Sequence, residues 1–218
     1  MHNILGHFFL NVAFGLYLIL YLPQLYHNAR HQAFHQMSFM MHMMILQAYS
    51  CDLFYGLSKH MPWQYLCVSM VGLLCLLTQH LQWFFFRWKK HKNLDWMMLL
   101  MGVLCILWPM LLWYYFAQDT LQYKLQAWCS RVLFIIHFLP QIIKYRRNED
   151  RQAISLLYLS LSITLSLCDL IAAVCLNWEM ANQIGSLISL GLKSYLSFQI
   201  FSCRFNPRLS FLKTRSAR

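Results

Sequence analysis

Four ionisable side chains lie inside otherwise apolar stretches of this sequence: Asp52, Asp169, Arg131 and Lys193. A charge at the centre of a membrane-spanning helix costs about 2.5 to 3.5 kcal/mol on insertion scales, so such groups pair or line a polar cavity. Two acids and two bases match the paired charges of an amino acid. Arg131 and Lys193 would hold its carboxylate, Arg by a bidentate contact and Lys as a point charge. Asp52 or Asp169 would then hold its amine. Asp169, the deeper acid with basic neighbours in its own half, is also the preferred carrier of a coupled proton. Structural ion pairs are the alternative for all four. Gln82, Gln199 and His137, with His42, Gln47 and Gln79, are lesser candidates whose bland role is a helix-packing hydrogen bond.

A second set of residues bears on motion. Leu22-Pro23-Gln24 recurs as Leu139-Pro140-Gln141. Proline has no backbone N–H and clashes with the carbonyl four residues earlier, so Pro23 and Pro140 are expected to kink their helices and free the carbonyls near Ile19 and Ile136. Gln24 and Gln141 are expected to bond freed backbone or a neighbouring helix. Equivalent kinks suit a pair of hinges, and a static kink is the alternative.

The elements that carry these residues read as membrane spans. Of 218 residues, 59% are apolar and 11% charged, against roughly 45–50% and 25% in a soluble domain. Seven apolar stretches approach spanning length: Ile4 to Tyr26, Met37 to Gly56, Trp63 to Phe86, Leu94 to Ala117, Leu125 to Tyr145, Ile154 to Leu176 and Ile184 to Phe205. The first lacks a basic leading segment and is expected to remain as an uncleaved helix. Fourteen of the 18 Lys and Arg residues fall on alternate connections (Arg30, Arg87 to Lys92, Lys144 to Arg151, Arg204 to Arg218). Basic residues are retained on the cytoplasmic side, so the N-terminus is expected outside and the C-terminus inside. The net charge of +11 is thereby explained without nucleic acid.

Little else in the sequence suggests catalysis. The eight cysteines form no CxxC pair and no zinc-like spacing with histidine, and buried thiols pack as small apolar groups. His27, His31 and His35 recur every four residues in an expected loop with no carboxylate nearby, so a metal site is the minority reading. No phosphate-binding loop or hydrolase motif is present, and neither an enzyme nor a resident cofactor is expected.

An offset of 117 residues aligns the unusual features without a gap: the Leu-Pro-Gln motifs, Ser38 with Ser155, Cys51-Asp52-Leu53 with Cys168-Asp169-Leu170, and Gln82 with Gln199. The chain therefore reads as an all-α integral membrane protein of two parallel three-helix bundles joined by a connecting helix, in a 3+1+3 plan. The expected boundaries are 1–90, 91–120 and 121–205, followed by a basic tail over 206–218. These paired motifs, each followed 29 residues later by an intramembrane Asp, resemble the PQ-loop family. That family includes lysosomal cystine and cationic amino-acid exporters, sugar facilitators of the SWEET type and a retrieval receptor for endoplasmic-reticulum proteins. The resemblance implies a transporter of a small polar solute working by alternating access about hinges at the two motifs. The pocket of acids and bases favours an amino acid. A sugar facilitator and a non-transporting receptor for a peptide carboxylate are the alternatives. The expected membrane is the inner membrane of a bacterium or the endolysosomal membrane of a eukaryote, and no oligomeric state is specified.

Overall fold

The computed structural model describes residues 2–31, 37–61, 63–91, 96–116, 120–146, 154–177 and 180–205. His35, Lys92, Arg147, Arg151 and the tail over 206–218 lie outside the described residues. Among the described residues the regular structure is helical, in nine segments. These are α1 (His2–Ile19), α2 (Leu22–His31), α3 (Phe39–Ser58), α4 (Trp63–His91), α5 (Trp96–Phe116), α6 (Thr120–Ile136), α7 (Leu139–Arg146), α8 (Leu156–Cys175) and α9 (Met180–Phe205).

The helices break where the prolines require it. α1 stops at Ile19 and α6 at Ile136, each four residues before a proline, and the chain turns through Leu20–Tyr21 and His137–Phe138 before it resumes. Pro23 and Pro140 are the second residues of α2 and α7, where the missing N–H is one the first helical turn leaves unbonded anyway. The sequence reading of a kink thus understates the change, since each helix ends and restarts. Leu20, Tyr21, His137 and Phe138 are all buried. Non-helical backbone at membrane depth is tolerated where protein covers it. The Tyr21 carbonyl accepts from Leu25 N–H at 2.9 Å, and the Phe138 carbonyl accepts from Ile142 N–H at 3.0 Å.

Among the described residues, five helical runs are long and apolar enough to cross a membrane: Ile4–Arg30, Tyr65–Phe86, Lys124–Tyr145, Leu156–Cys175 and Gln183–Ser202. The first and third each unite two helices across a break. Leu99–Tyr115 of α5 is a shorter apolar run. α3 is not among them, because His42, Gln47, Ser50 and Asp52 dilute its apolar character. Its position explains the dilution: α3 packs against α4, α5, α6 and α7 and buries Leu46, Ala48, Tyr49 and Cys51. A helix surrounded by protein can carry polar groups that find partners. α5 differs, exposing Leu100, Leu104, Leu107 and Leu111.

Packing between the helices repeats with the sequence. α1 packs chiefly on α8, and its equivalent α6 packs chiefly on α3; α4 packs on α3 and α1, and its equivalent α9 packs on α8 and α6. Between these sets lies an aromatic core. Tyr21 meets Tyr49 at 5.8 Å and Tyr158 at 5.7 Å between ring centroids, and Tyr49 meets Phe134 edge-on at 4.9 Å. Such pairs contribute roughly 0.5–1.5 kcal/mol beyond area burial.

Gly72 lets α4 approach this core. A methyl group there would sit 2.2 Å from Tyr49 Cε1, and the neighbouring rings leave Tyr49 little room to yield. Gly72→Ala is therefore expected to destabilise the fold by about 1–3 kcal/mol through overpacking. Thermal unfolding of the detergent-solubilised protein checks this, a lowered midpoint being the expected result.

Candidate functional site

The polar groups of the core occupy two levels. At the level of the helix breaks, each motif glutamine caps the start of a helix distant in the chain, Gln24 that of α8 and Gln141 that of α3. Ser38 begins α3 with extended backbone (φ −70, ψ 121), and its hydroxyl accepts from Met41 N–H. Ser155 begins α8 in the same way (φ −63, ψ 129) and accepts from Tyr158 N–H. The free backbone N–H of each serine then donates across the molecule, Ser155 to Gln24 Oε1 at 2.8 Å and Ser38 to Gln141 Oε1 at 2.6 Å. In an ordinary capping box a Glu or Gln three residues along the same helix accepts this bond. Here the acceptor arrives from the repeat-equivalent motif, 131 and 103 residues away in the chain. Both glutamines are buried, and Gln24 Nε2 also donates to Asn28 Oδ1 at 2.8 Å. Lys144 Nζ adds a bond to the Met37 carbonyl at 3.5 Å.

The second level holds the charges. Asp52, on α3, accepts from three hydroxyls: Tyr65 and Ser69 of α4, the latter at 2.5 Å, and Ser130 of α6 at 3.1 Å. Arg131, on α6, is an electrostatic neighbour of Asp52 on α3. Asp169, on α8, accepts from Tyr17 of α1 at 2.9 Å, 152 residues away in the chain. Lys193 is an electrostatic neighbour of Asp169. Its Nζ is held by α8 itself, at 2.6 Å from Ser166 Oγ and 3.3 Å from the Ser162 carbonyl, with the Phe138 ring 5.8 Å away. Each carboxylate is thus bonded by hydroxyls, which can rotate, with a base nearby.

Tyrosines connect the two levels. Tyr17 and Tyr49 each interact electrostatically with both Asp52 and Asp169, and the Tyr49 ring packs edge-on against Tyr21 at the first helix break. The remaining candidates are more peripheral. His137 sits in the second break with its Nδ1 2.8 Å from the Phe134 carbonyl, a local backbone contact. Gln82 and Gln199 each bury an Oε1 with no hydrogen-bond partner among the described residues.

Sequence reasoning missed the hydroxyl donors Tyr17, Tyr65, Ser69 and Ser130, since Ser and Tyr are common in apolar helices; of the four, Ser69 alone recurs at the repeat offset, as Ser186, a signal that could have found it. It registered Ser38 and Ser155 as equivalent without assigning them a role.

Comparison with known proteins adds one likeness. The family model of the PQ loop repeat matches residues 5–65, a segment that holds most of α1, all of α2 and α3, the first helix break, Gln24 and Asp52. No curated protein matches the chain.

Proposed function

We propose that this multi-pass membrane protein transports a small polar solute, an amino acid in the first instance, by alternating access between two three-helix units. In this reading 1–90 and 121–205 are the units, 91–120 is the connecting helix, seven spans run from an outside N-terminus to a cytoplasmic C-terminus, and no cofactor or covalent chemistry is involved. The observation that carries it is the reciprocal pair of caps, Gln24 on Ser155 N–H and Gln141 on Ser38 N–H. Each ties a helix break of one unit to the start of a helix in the other. Two such bonds at the inner ends of the units are what a gate needs: strong enough to hold one conformation, few enough to release. A neutral hydrogen bond contributes about 0.5–1.5 kcal/mol net, so two of them bias an equilibrium without locking it.

The solute would exchange with internal partners at the charged level. Its carboxylate would replace the serines at Lys193 or approach Arg131, and its amine would replace hydroxyls on Asp52 or Asp169. The likeness to the PQ loop repeat over residues 5–65 supports a transporter or a related member of that family. The basic clusters suit a lipid bilayer with an anionic inner face, whether a bacterial inner membrane or an endolysosomal one.

Uptake of labelled L-lysine, L-glutamine, L-serine and D-glucose into proteoliposomes tests the reading. Saturable uptake of at least one amino acid is expected, and the absence of flux for all four overturns it. For a transported amino acid, Arg131→Lys is expected to weaken binding by about tenfold, since the charge is kept and the bidentate geometry lost. Unchanged affinity would make Arg131 a structural partner of Asp52.

A further inference from the structure

A crevice lies directly behind the first cap, and Tyr21, Gln24, Met37, His42, Gln79 and Tyr158 contribute to its wall. Most of its polar atoms are already engaged. Gln24 is bonded to Ser155 and Asn28, and Gln79 Nε2 donates to Met37 Sδ at 3.3 Å. His42 is the exception. The residue is 1% exposed, and its ring is fixed on one side by His80, with Nε2 3.2 Å from His80 Nδ1 and the rings stacked at 8°. Trp83 packs edge-on against it at 5.6 Å. The other ring nitrogen, Nδ1, has no hydrogen-bond partner among the described residues. A buried polar atom left unpaired costs about 1–3 kcal/mol, and a fold that retains one beside a crevice leaves that bond to be made by something that enters.

We infer that this crevice is a second station for the transported solute, in which His42 Nδ1 hydrogen-bonds an uncharged hydroxyl or amide of that solute. The inference rests on the transport reading above and narrows its substrate class. Three further features support it. Among the described residues no carboxylate, ammonium or guanidinium is part of the crevice wall, and Lys144 Nζ, the ammonium bonded to the Met37 carbonyl, stays outside it, so a charged end placed there would be desolvated with no counter-charge in the wall. Either neutral ring can be the donor in the His42–His80 bond: with the proton on His42 Nε2, Nδ1 is an acceptor, and with His80 Nδ1–H donating to His42 Nε2, the His42 proton is on Nδ1, which is then a donor. Hydroxyls and amides satisfy both cases. Finally, Tyr21 and Tyr158 belong both to the crevice and to the tyrosine cluster that reaches the acids. The station therefore continues the path from the charged level to the Gln24 cap. In this conformation it has room for about a single water, and releasing the cap would widen it.

The test has two arms. In the first, His42→Cys is introduced alone and with Gln24→Ala, and the protein in proteoliposomes is treated with a membrane-impermeant methanethiosulfonate. Labelling of position 42 is read by peptide mass spectrometry, which separates it from the native cysteines. Little labelling in the single variant and at least fivefold more in the double variant are expected. Met41→Cys, on the same wall, repeats the measurement should His42→Cys not fold. No labelling at either position with the cap removed overturns the station. This arm needs no solute, so it stands even if the four-solute uptake assay fails and takes the transport reading with it. In the second arm, for whichever of the four solutes is carried, His42→Phe should raise KM about tenfold. His42→Asn, which keeps a polar atom near the place of Nδ1, should restore most of it. Equal KM in wild type and His42→Phe overturns the contact, as does L-lysine being carried in preference to L-glutamine and L-serine.

Discussion

Replacing both Pro23 and Pro140 with alanine is expected to lower transport turnover by about tenfold or more while leaving solute affinity within about threefold. Alanine at either position supplies the N–H that lets α1 run into α2, or α6 into α7, with new bonds to the Ile19 and Ile136 carbonyls. The turns at Leu20–Tyr21 and His137–Phe138 would become helix, and the glutamines one residue later would rotate away from Ser155 and Ser38. The interconversion of conformations slows while the charged groups one level away keep their partners and His42 keeps His80, so kcat falls and KM holds. A tenfold loss corresponds to about 1.4 kcal/mol on the barrier. Labelled-solute uptake at several concentrations separates the two parameters. Equal turnover in the double variant would show that the breaks are static features of the fold.

Asp169→Asn is expected to abolish accumulation driven by a pH gradient while exchange at equal pH persists. Asp169 alternates, in this account, between an ionised state bonded by Tyr17 and a protonated state, and Asn imitates only the second. The arrangement suits such a role. Lys193 Nζ is bonded to Ser166 Oγ and the Ser162 carbonyl, so the base beside Asp169 has partners of its own when the carboxyl is neutral. Asp52 is the less suitable carrier, because three hydroxyls from two helices hold its carboxylate. Three bonds from two helices would have to be rearranged for that carboxyl to change partners. If Asp169→Asn still concentrates solute against its gradient when driven by protons, the coupling group is elsewhere.

What could be read from the sequence, and what could not, divides by the range of the interactions. A distortion near Ile19 and Ile136 follows from proline's missing N–H and its clash with the carbonyl four residues earlier, and was legible as a kink; that α1 and α6 end there and restart as α2 and α7 was not. The equivalence of Ser38 with Ser155 and of Gln24 with Gln141 was legible as a repeat. Their hydrogen bonds were not, because each joins positions more than a hundred residues apart and Gln could have served its own helix equally well. The acids were visible as costly charges in apolar surroundings, which led to an expectation of acids and bases in one pocket. Each acid does have a base nearby, yet their direct bonds go to Tyr17, Tyr65, Ser69 and Ser130. Hydroxyl donors carry no charge cost in an apolar helix, and of these only Ser69, repeated as Ser186, is marked by the pattern. α3 was expected as an ordinary span; its polar residues reflect a position among four other helices, which depends on packing and not on local composition.

The central claim, that the two halves expose the solute alternately to either side, is tested most directly by counterflow. Proteoliposomes loaded with an unlabelled amino acid from the uptake panel are diluted into a trace of the same amino acid in labelled form, with no ion or pH gradient. Alternating access predicts a transient overshoot of label, since each outward passage of unlabelled solute returns the protein to load from outside. Uptake that rises to equilibrium without overshoot would mean an open pore, and binding without any internal label would mean a receptor. Either result would contradict the account.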